Sequence, residues 1–212
     1  MTRTSAPELL VLHAVRRLGF ADVPAITATA GTAPEQTARL LSEAQQQGLL
    51  RHTGFVGLEG WSLTDRGRIE NERQLALERE EADPEGTIRA AHRAFLPLNA
   101  RLLRAVSAWQ TIGTGEDPLA PNDHGDAVRD ARTLDDLARI GAELRPVNAR
   151  LSGVLTRFTG YDLRYLAALG KARSGDPRWV DGSDVDSCHR VWFQLHEDLV
   201  ATLGIDRRTE QG

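Results

Sequence analysis

The 212-residue sequence predicts a mainly α-helical protein, in which three N-terminal helices and a small β-hairpin precede an all-helical bundle. Three observations predict it. Thr32 to Arg68 reads as one helix, two short β runs around a glycine-containing tip, and the start of a further helix. After Leu63 no run alternates apolar and polar residues, so the remainder is read as helical. The composition, 41% hydrophobic and 26% charged, is enough for a full core and one or two domains.

Taken in order, Glu8 to Leu18 is apolar at Leu9, Leu10, Leu12, Val15 and Leu18, a helical spacing that Gly19 ends. Asp22 then caps a short helix through Val23, Ile26 and Ala30, and Gly31 turns the chain into Thr32. Thr32 and Glu35 have the spacing of a capping box, with Pro34 in the first turn, where its missing N–H costs nothing. Leu40, Leu41 and Ala44 form the inward stripe of this third helix, which Gly48 stops. Leu49–His52 and Trp61–Leu63 read as short strands around a tip, Thr53–Gly60, that carries Phe55, Val56 and Leu58 and no cation. Thr64 caps a charged helix reaching about Glu81, with Ile69, Leu75 and Leu77 expected inward.

This order, with its GLL strand and closing LTDRGR, resembles a winged helix-turn-helix of the broad MarR type over about residues 8 to 80. The resemblance implies a transcriptional regulator that binds double-stranded DNA in a sequence-specific way, the second helix of the pair entering the major groove. It turns Thr32, Pro34, Glu35, Gln36 and Arg39 toward the bases, where Gln suits adenine, Arg suits guanine and Glu accepts from cytosine. Arg51, His52, Arg66 and Arg68, at the base of the wing, are assigned to phosphate. The domain boundary is placed at Asp83-Pro84-Glu85-Gly86, giving a DNA-binding domain over 1–82 and a helical domain over 83–212. A reading from another class is a winged-helix module that binds no DNA and docks on a partner protein through its apolar tip.

Charge limits the DNA reading. The chain carries a formal net charge of −4, whereas an indiscriminate phosphate binder has a strong basic excess. Residues 1 to 68 hold seven arginines against six acids, so one reading head has little electrostatic pull of its own. A homodimer engaging two half-sites is therefore expected, built by the helical domain.

Helices are expected there at about Thr87–Ile112, Thr133–Phe158, Asp162–Arg173 and Asp184–Leu203, separated by polar loops at Gly113–Asp123 and Ser174–Ser183. Pro97-Leu98-Asn99-Ala100-Arg101-Leu102 and Pro146-Val147-Asn148-Ala149-Arg150-Leu151 match at five of six positions, a spacing open to duplication or to chance. Each proline is expected to interrupt its helix and free carbonyls near an asparagine. That suggests a small-molecule effector pocket contacted by Asn99 and Asn148 and walled by Trp109 or Trp192; the asparagines could equally be structural.

Other chemistry is not indicated. The single cysteine, Cys188, forms no internal disulfide, belongs to no Cys-rich zinc motif and is read as a buried inert thiol. His189 and His196 lie seven apart, with His92 on another helix; the tighter spacing of a helical metal site is missing, and no metal or other cofactor is assigned. Hydrolase, dinucleotide, P-loop and zincin motifs are absent, so no enzyme activity is expected. No apolar run approaches a membrane span and the N-terminus has no signal-peptide core, so a cytoplasmic location is expected and no membrane partner.

Overall fold

Apolar periodicity and glycine punctuation produce helices α1 (Pro7–Leu18), α2 (Val23–Ala30) and α3 (Pro34–Gln46), a hairpin of β1 (Leu50–Phe55) and β2 (Leu58–Leu63), and α4 (Asp65–Ala82). Then follow α5 (Thr87–Gln110), α6 (Ala127–Val154), α7 (Tyr161–Arg173), the single turn α8 (Arg178–Asp181) and α9 (Cys188–Leu203), with a 3-10 turn at Thr156–Phe158. This computed structural model describes residues 2–55, 57–113, 117 and 119–205, the side chains of Phe55 and Leu58 excepted. The mainly helical fold with a small antiparallel hairpin is thus as expected. The chain forms two compact units: one runs to Glu85 and takes in Leu155–Arg157 and the chain from Glu197, and the other comprises Gly86–Val154 and Phe158–His196.

In the first unit α1, α2 and α3 bury Val11, Leu12, Val15, Ile26, Leu40 and Leu41 in one core, closed by Leu49 and Leu50 at the entry to the hairpin. Burying a side chain such as Ile26 or Leu41 contributes about 1.5–3 kcal/mol. The hairpin is longer than the sequence suggested: its register runs from Leu50↔Leu63 to Phe55↔Leu58. Gly54 and Gly60, read as tip residues, sit inside the ladder, and at Gly60 a Cβ would come within 2.4 Å of the Phe20 ring. Ala21 adds one antiparallel bridge to Trp61, N–H to carbonyl in both directions at 3.2 and 2.8 Å.

Two helix starts differ from each other. Asp22 caps α2 by accepting from the Ala25 amide at 2.9 Å, as expected. Thr32 does not cap α3. Pro34 is the first helical residue, which makes Ala33 the cap position, and the Thr32 hydroxyl lies one place too early, 2.7 Å from that of Thr37. The far end of α3 is closed by Gly48 at φ +71°, with Gly48 N–H bonding to Gln45 and Leu49 N–H to Ala44, the paired pattern of a left-handed C-terminal stop.

Helix α4 also departs from the expected face. Gly67, Asn71, Leu75 and Glu78 are buried, while Ile69 and Leu77 are 67% and 47% exposed. The inward stripe is polar because it meets buried partners. His13 of α1 lies with Nδ1 3.2 Å from Asn71 and Nε2 3.1 Å from Asp198. Arg157 bridges Glu78 at 3.2 Å, the Asp198 carboxylate, and the Thr202 hydroxyl at 2.9 Å. Burial alone would raise the Asp198 carboxyl, but the Arg157 guanidinium and then His13 hold it below the usual carboxylate range. Burial holds His13 below its ordinary value against the opposing pull of Asp198.

In the second unit α5 packs on α6 and α6 on α7. Helix α6 begins six residues before the expected start and α9 four residues after it. Pro97 and Pro146 do not interrupt their helices: both lie inside continuous α5 and α6. Both are exposed, so the hydrogen bond each removes is on the solvent side, where water can replace it. Gly141 lets Tyr165 approach α6, since a Cβ would meet the ring at 2.9 Å, and the Tyr165 hydroxyl donates to the Leu137 carbonyl at 3.0 Å.

Candidate nucleic-acid interface

Helix α3 is positioned by a device around Thr64. Its hydroxyl accepts from the Gly67 amide at 3.0 Å, capping α4, and donates to the Gly48 carbonyl at 2.7 Å, the turn that ends α3. Gly67 has no alternative, because a Cβ there would lie 1.9 Å from the Leu49 carbonyl oxygen. The LTDRGR segment thus ties the end of α3 and the hairpin to the first turn of α4.

With Thr37, Leu40 and Leu41 buried, the opposite side of α3 is outward. At about 100° per residue, Glu35, Arg39, Ser42 and Gln46 fall on one line at the centre of that side, and all are exposed. Arg39 reaches forward one turn and donates to Glu43 at 3.3 Å, an exposed pair on the helix surface. Gln36 is half-buried at the edge of the stripe, Pro34 is exposed at its start, and Thr32 is half-buried against Thr37. Ser42 and Gln46 were missed by the sequence reading, which stopped at Arg39; extending the Glu35–Arg39 line by further turns finds them.

The four residues assigned to phosphate diverge. In the hairpin, alternate residues face opposite ways, so Arg51 and His52 lie on opposite faces. His52 shares its face with Trp61, directly across the ladder, and their ring centroids are 4.7 Å apart. Arg51 is exposed with no hydrogen bond or ion pair among the described residues. On α4, Arg66 and Arg68 are two residues apart and so point about 160° apart around the axis. Arg66 turns toward the Gly48 turn, 4.0 Å from where a Cβ would stand, while Arg68 is exposed elsewhere on α4. The Val56 position of the apolar tip, and the side chains of Phe55 and Leu58, lie outside the described residues.

The effector residues of the second unit come together only in part. Asn99 Oδ1 accepts from Trp192 Nε1 at 2.9 Å, and Trp192 stacks on Phe95 at 4.7 Å between centroids. Asn148 Nδ2 donates to Asp162 at 3.0 Å, while its Oδ1 is buried with no partner among the described residues. Trp109 packs on the His124 ring at 4.5 Å, ten residues and about 15 Å along α5 from Asn99. His92 and His196 stack at 6.5 Å between centroids, and no group of three or more His, Cys, Asp or Glu is placed to hold a metal among the described residues. Cys188 is buried, which pushes its thiol up to about 12. Among the described residues no helix is long and apolar enough to cross a membrane.

No protein-family model, no curated protein and no solved structure matches the chain.

Proposed function

We propose that the chain is a sequence-specific DNA-binding transcriptional regulator of the winged helix-turn-helix kind, similar to the MarR type, cytoplasmic and acting as a homodimer without enzymatic activity. The observation that carries this reading is the outward line of Glu35, Arg39, Ser42 and Gln46 on α3, exposed side chains that pack against nothing in the core, on a helix whose C-terminal end is tied to α4. Arginine, glutamine and glutamate present the donors and acceptors that major-groove base edges distinguish. A face carrying Glu35 and Glu43 against the single Arg39 is net negative and gives phosphate no unspecific attraction, so binding by it must come from base contacts. A small-molecule effector response belongs to the helical half in this reading; the unsatisfied Asn148 Oδ1 supports it, and the bond of Asn99 to Trp192 argues that Asn99 is structural.

The test is selection of duplexes from a random pool, followed by a salt series on the selected site. The reading expects an enriched motif and affinity that falls steeply as salt rises. No enriched motif, with weak salt-independent binding, would refute it.

A further inference from the structure

We propose that Glu35 sets base preference by exclusion, admitting a cytosine at one operator position and lowering affinity for every duplex that lacks it. The proposal rests on the DNA reading of the preceding section and names a base pair that the operator must carry.

Arginine and glutamate occupy the outward line of α3 on unequal terms. Arg39 donates to Glu43 at 3.3 Å, so its charge is met by an acid of its own helix. Glu35 is exposed and has no hydrogen bond or ion pair among the described residues. The uncompensated charge on the line is therefore negative, and it stands one turn from Arg39 on the same side. Against a phosphate backbone such a charge weakens binding to every sequence alike. A carboxylate in the first turn also suits the helix dipole, a benefit that is the same whatever DNA it meets.

Toward the bases its chemistry is narrower. An ionised carboxylate only accepts hydrogen bonds. In the major groove guanine offers N7 and O6 and thymine offers O4, all acceptors that repel it. Adenine offers N6–H beside the N7 acceptor, so one carboxylate oxygen gains a bond while the other faces a lone pair. Cytosine offers the N4 donor with no acceptor of its own beside it. Leaving a desolvated carboxylate against acceptors costs more than the bond to cytosine returns, so the discrimination lies mainly in what is refused. Ser42 and Gln46, further along the line, carry both donors and acceptors and refuse no base outright.

Spacing says where the pair falls. Glu35 and Arg39 are about 6 Å apart along the axis and base pairs rise about 3.4 Å, so the cytosine lies within about two base pairs of the guanine held by Arg39. Glutamine keeps the shape of glutamate but sets a donor beside its acceptor, the combination that matches N6 and N7 of adenine. Glu35→Gln therefore moves the preference at that position from C·G to A·T and takes the uncompensated charge off the line.

The experiment is the random-pool selection run in parallel on the full chain for wild type, Glu35→Gln, Glu35→Ala and, as a charge control, Glu8→Gln on α1, whose acid is also exposed and without a partner among the described residues. Wild type and both Glu35 variants are also titrated against a duplex lacking the motif. Wild type and Glu8→Gln are expected to share a motif with a C·G pair within about two base pairs of the position that Arg39→Ala relaxes. Glu35→Gln should prefer A·T at that C·G position by about fivefold or more, and Glu35→Ala should prefer no base there. Both Glu35 variants should bind the motif-free duplex about twofold or more tightly at low salt, a gain that fades as salt rises. A wild-type motif without that C·G pair, or a Glu35→Gln variant that keeps the wild-type preference, overturns the proposal and leaves the DNA reading standing. Unchanged affinity of both variants for the motif-free duplex overturns exclusion and makes Glu35 an ordinary base contact. No motif for wild type overturns the DNA reading and the proposal together.

Discussion

The two units solve the burial problem in different ways. The first hides ionised groups: Asp198, Arg157 and Glu78 are all buried, and each is paired. The second keeps its ion pairs, such as Arg164 with Asp186, partly exposed, and its interior is joined by packed rings and neutral bonds such as Trp192 to Asn99 and Tyr165 to Leu137. A buried charge pair adds little net stability when intact and costs about 3–5 kcal/mol when halved, whereas a neutral bond contributes about 0.5–1.5 kcal/mol when intact and costs about 1–3 kcal/mol when halved. The first unit should therefore be brittle to single substitutions and to acid, and the second tolerant.

The largest effect should come from Arg157→Met, which leaves Asp198 and Glu78 buried without their cation. A loss of about 3–5 kcal/mol is expected in denaturant unfolding. The parallel change in the second unit, Tyr165→Phe, keeps the buried ring and removes only the hydroxyl's bond to the Leu137 carbonyl, so about 1 kcal/mol is expected. Equal losses in the two variants would remove the contrast.

Acid sharpens the same comparison. His13 has a folded-state value below its unfolded one, so its contribution is present above the unfolded value near 6.5 and is lost as pH falls. Asp198, also depressed, holds its contribution above the unfolded value near 4 and loses it below. Stability should fall in two steps on acidification. In His13→Gln the step that begins as pH falls through the unfolded value near 6.5 should shrink while the lower one stays; an unchanged upper step would assign it to another histidine.

Next in size are the two threonines that resemble each other in sequence. Thr64→Ala removes the cap of α4 and its tie to Gly48, and about 1 kcal/mol should be lost. Thr32→Ala removes no cap, and its change in unfolding free energy should be about half of that or less.

These contrasts also mark what the sequence could tell. The order of α1, α2 and α3 was legible because apolar spacing, Asp22, Gly31 and Gly48 all act within one turn of their own position. Thr32 was misread because one residue of shift, imposed by Pro34, moves a hydroxyl out of capping reach. The hairpin was read short because Gly54 and Gly60 look like turn residues until Phe20 is known to lie over the second. The buried face of α4 was hidden for a different reason: Asn71 and Glu78 can point inward only because His13 and Arg157, 58 and 79 residues away, meet them. Pro97 and Pro146 were read as breaks because exposure, which decides whether water can replace the lost bond, is not visible in a short motif. In the candidate site, Glu35 and Arg39 were found from helical spacing, while the opposed directions of Arg51 and His52 needed the register of the ladder.

The smallest stability effect is tied to the largest functional one. Arg39 is exposed and its pair with Glu43 is a surface pair, so Arg39→Ala should change stability by only about 0.5 kcal/mol or less. The most direct test of the account is the affinity of this variant for the selected operator and for operators altered one base pair at a time. The account expects binding weaker by about 1–3 kcal/mol together with lost preference at one position, and an unchanged unfolding midpoint. Undiminished affinity with the base preference intact would contradict the claim that the outward line of α3 reads DNA.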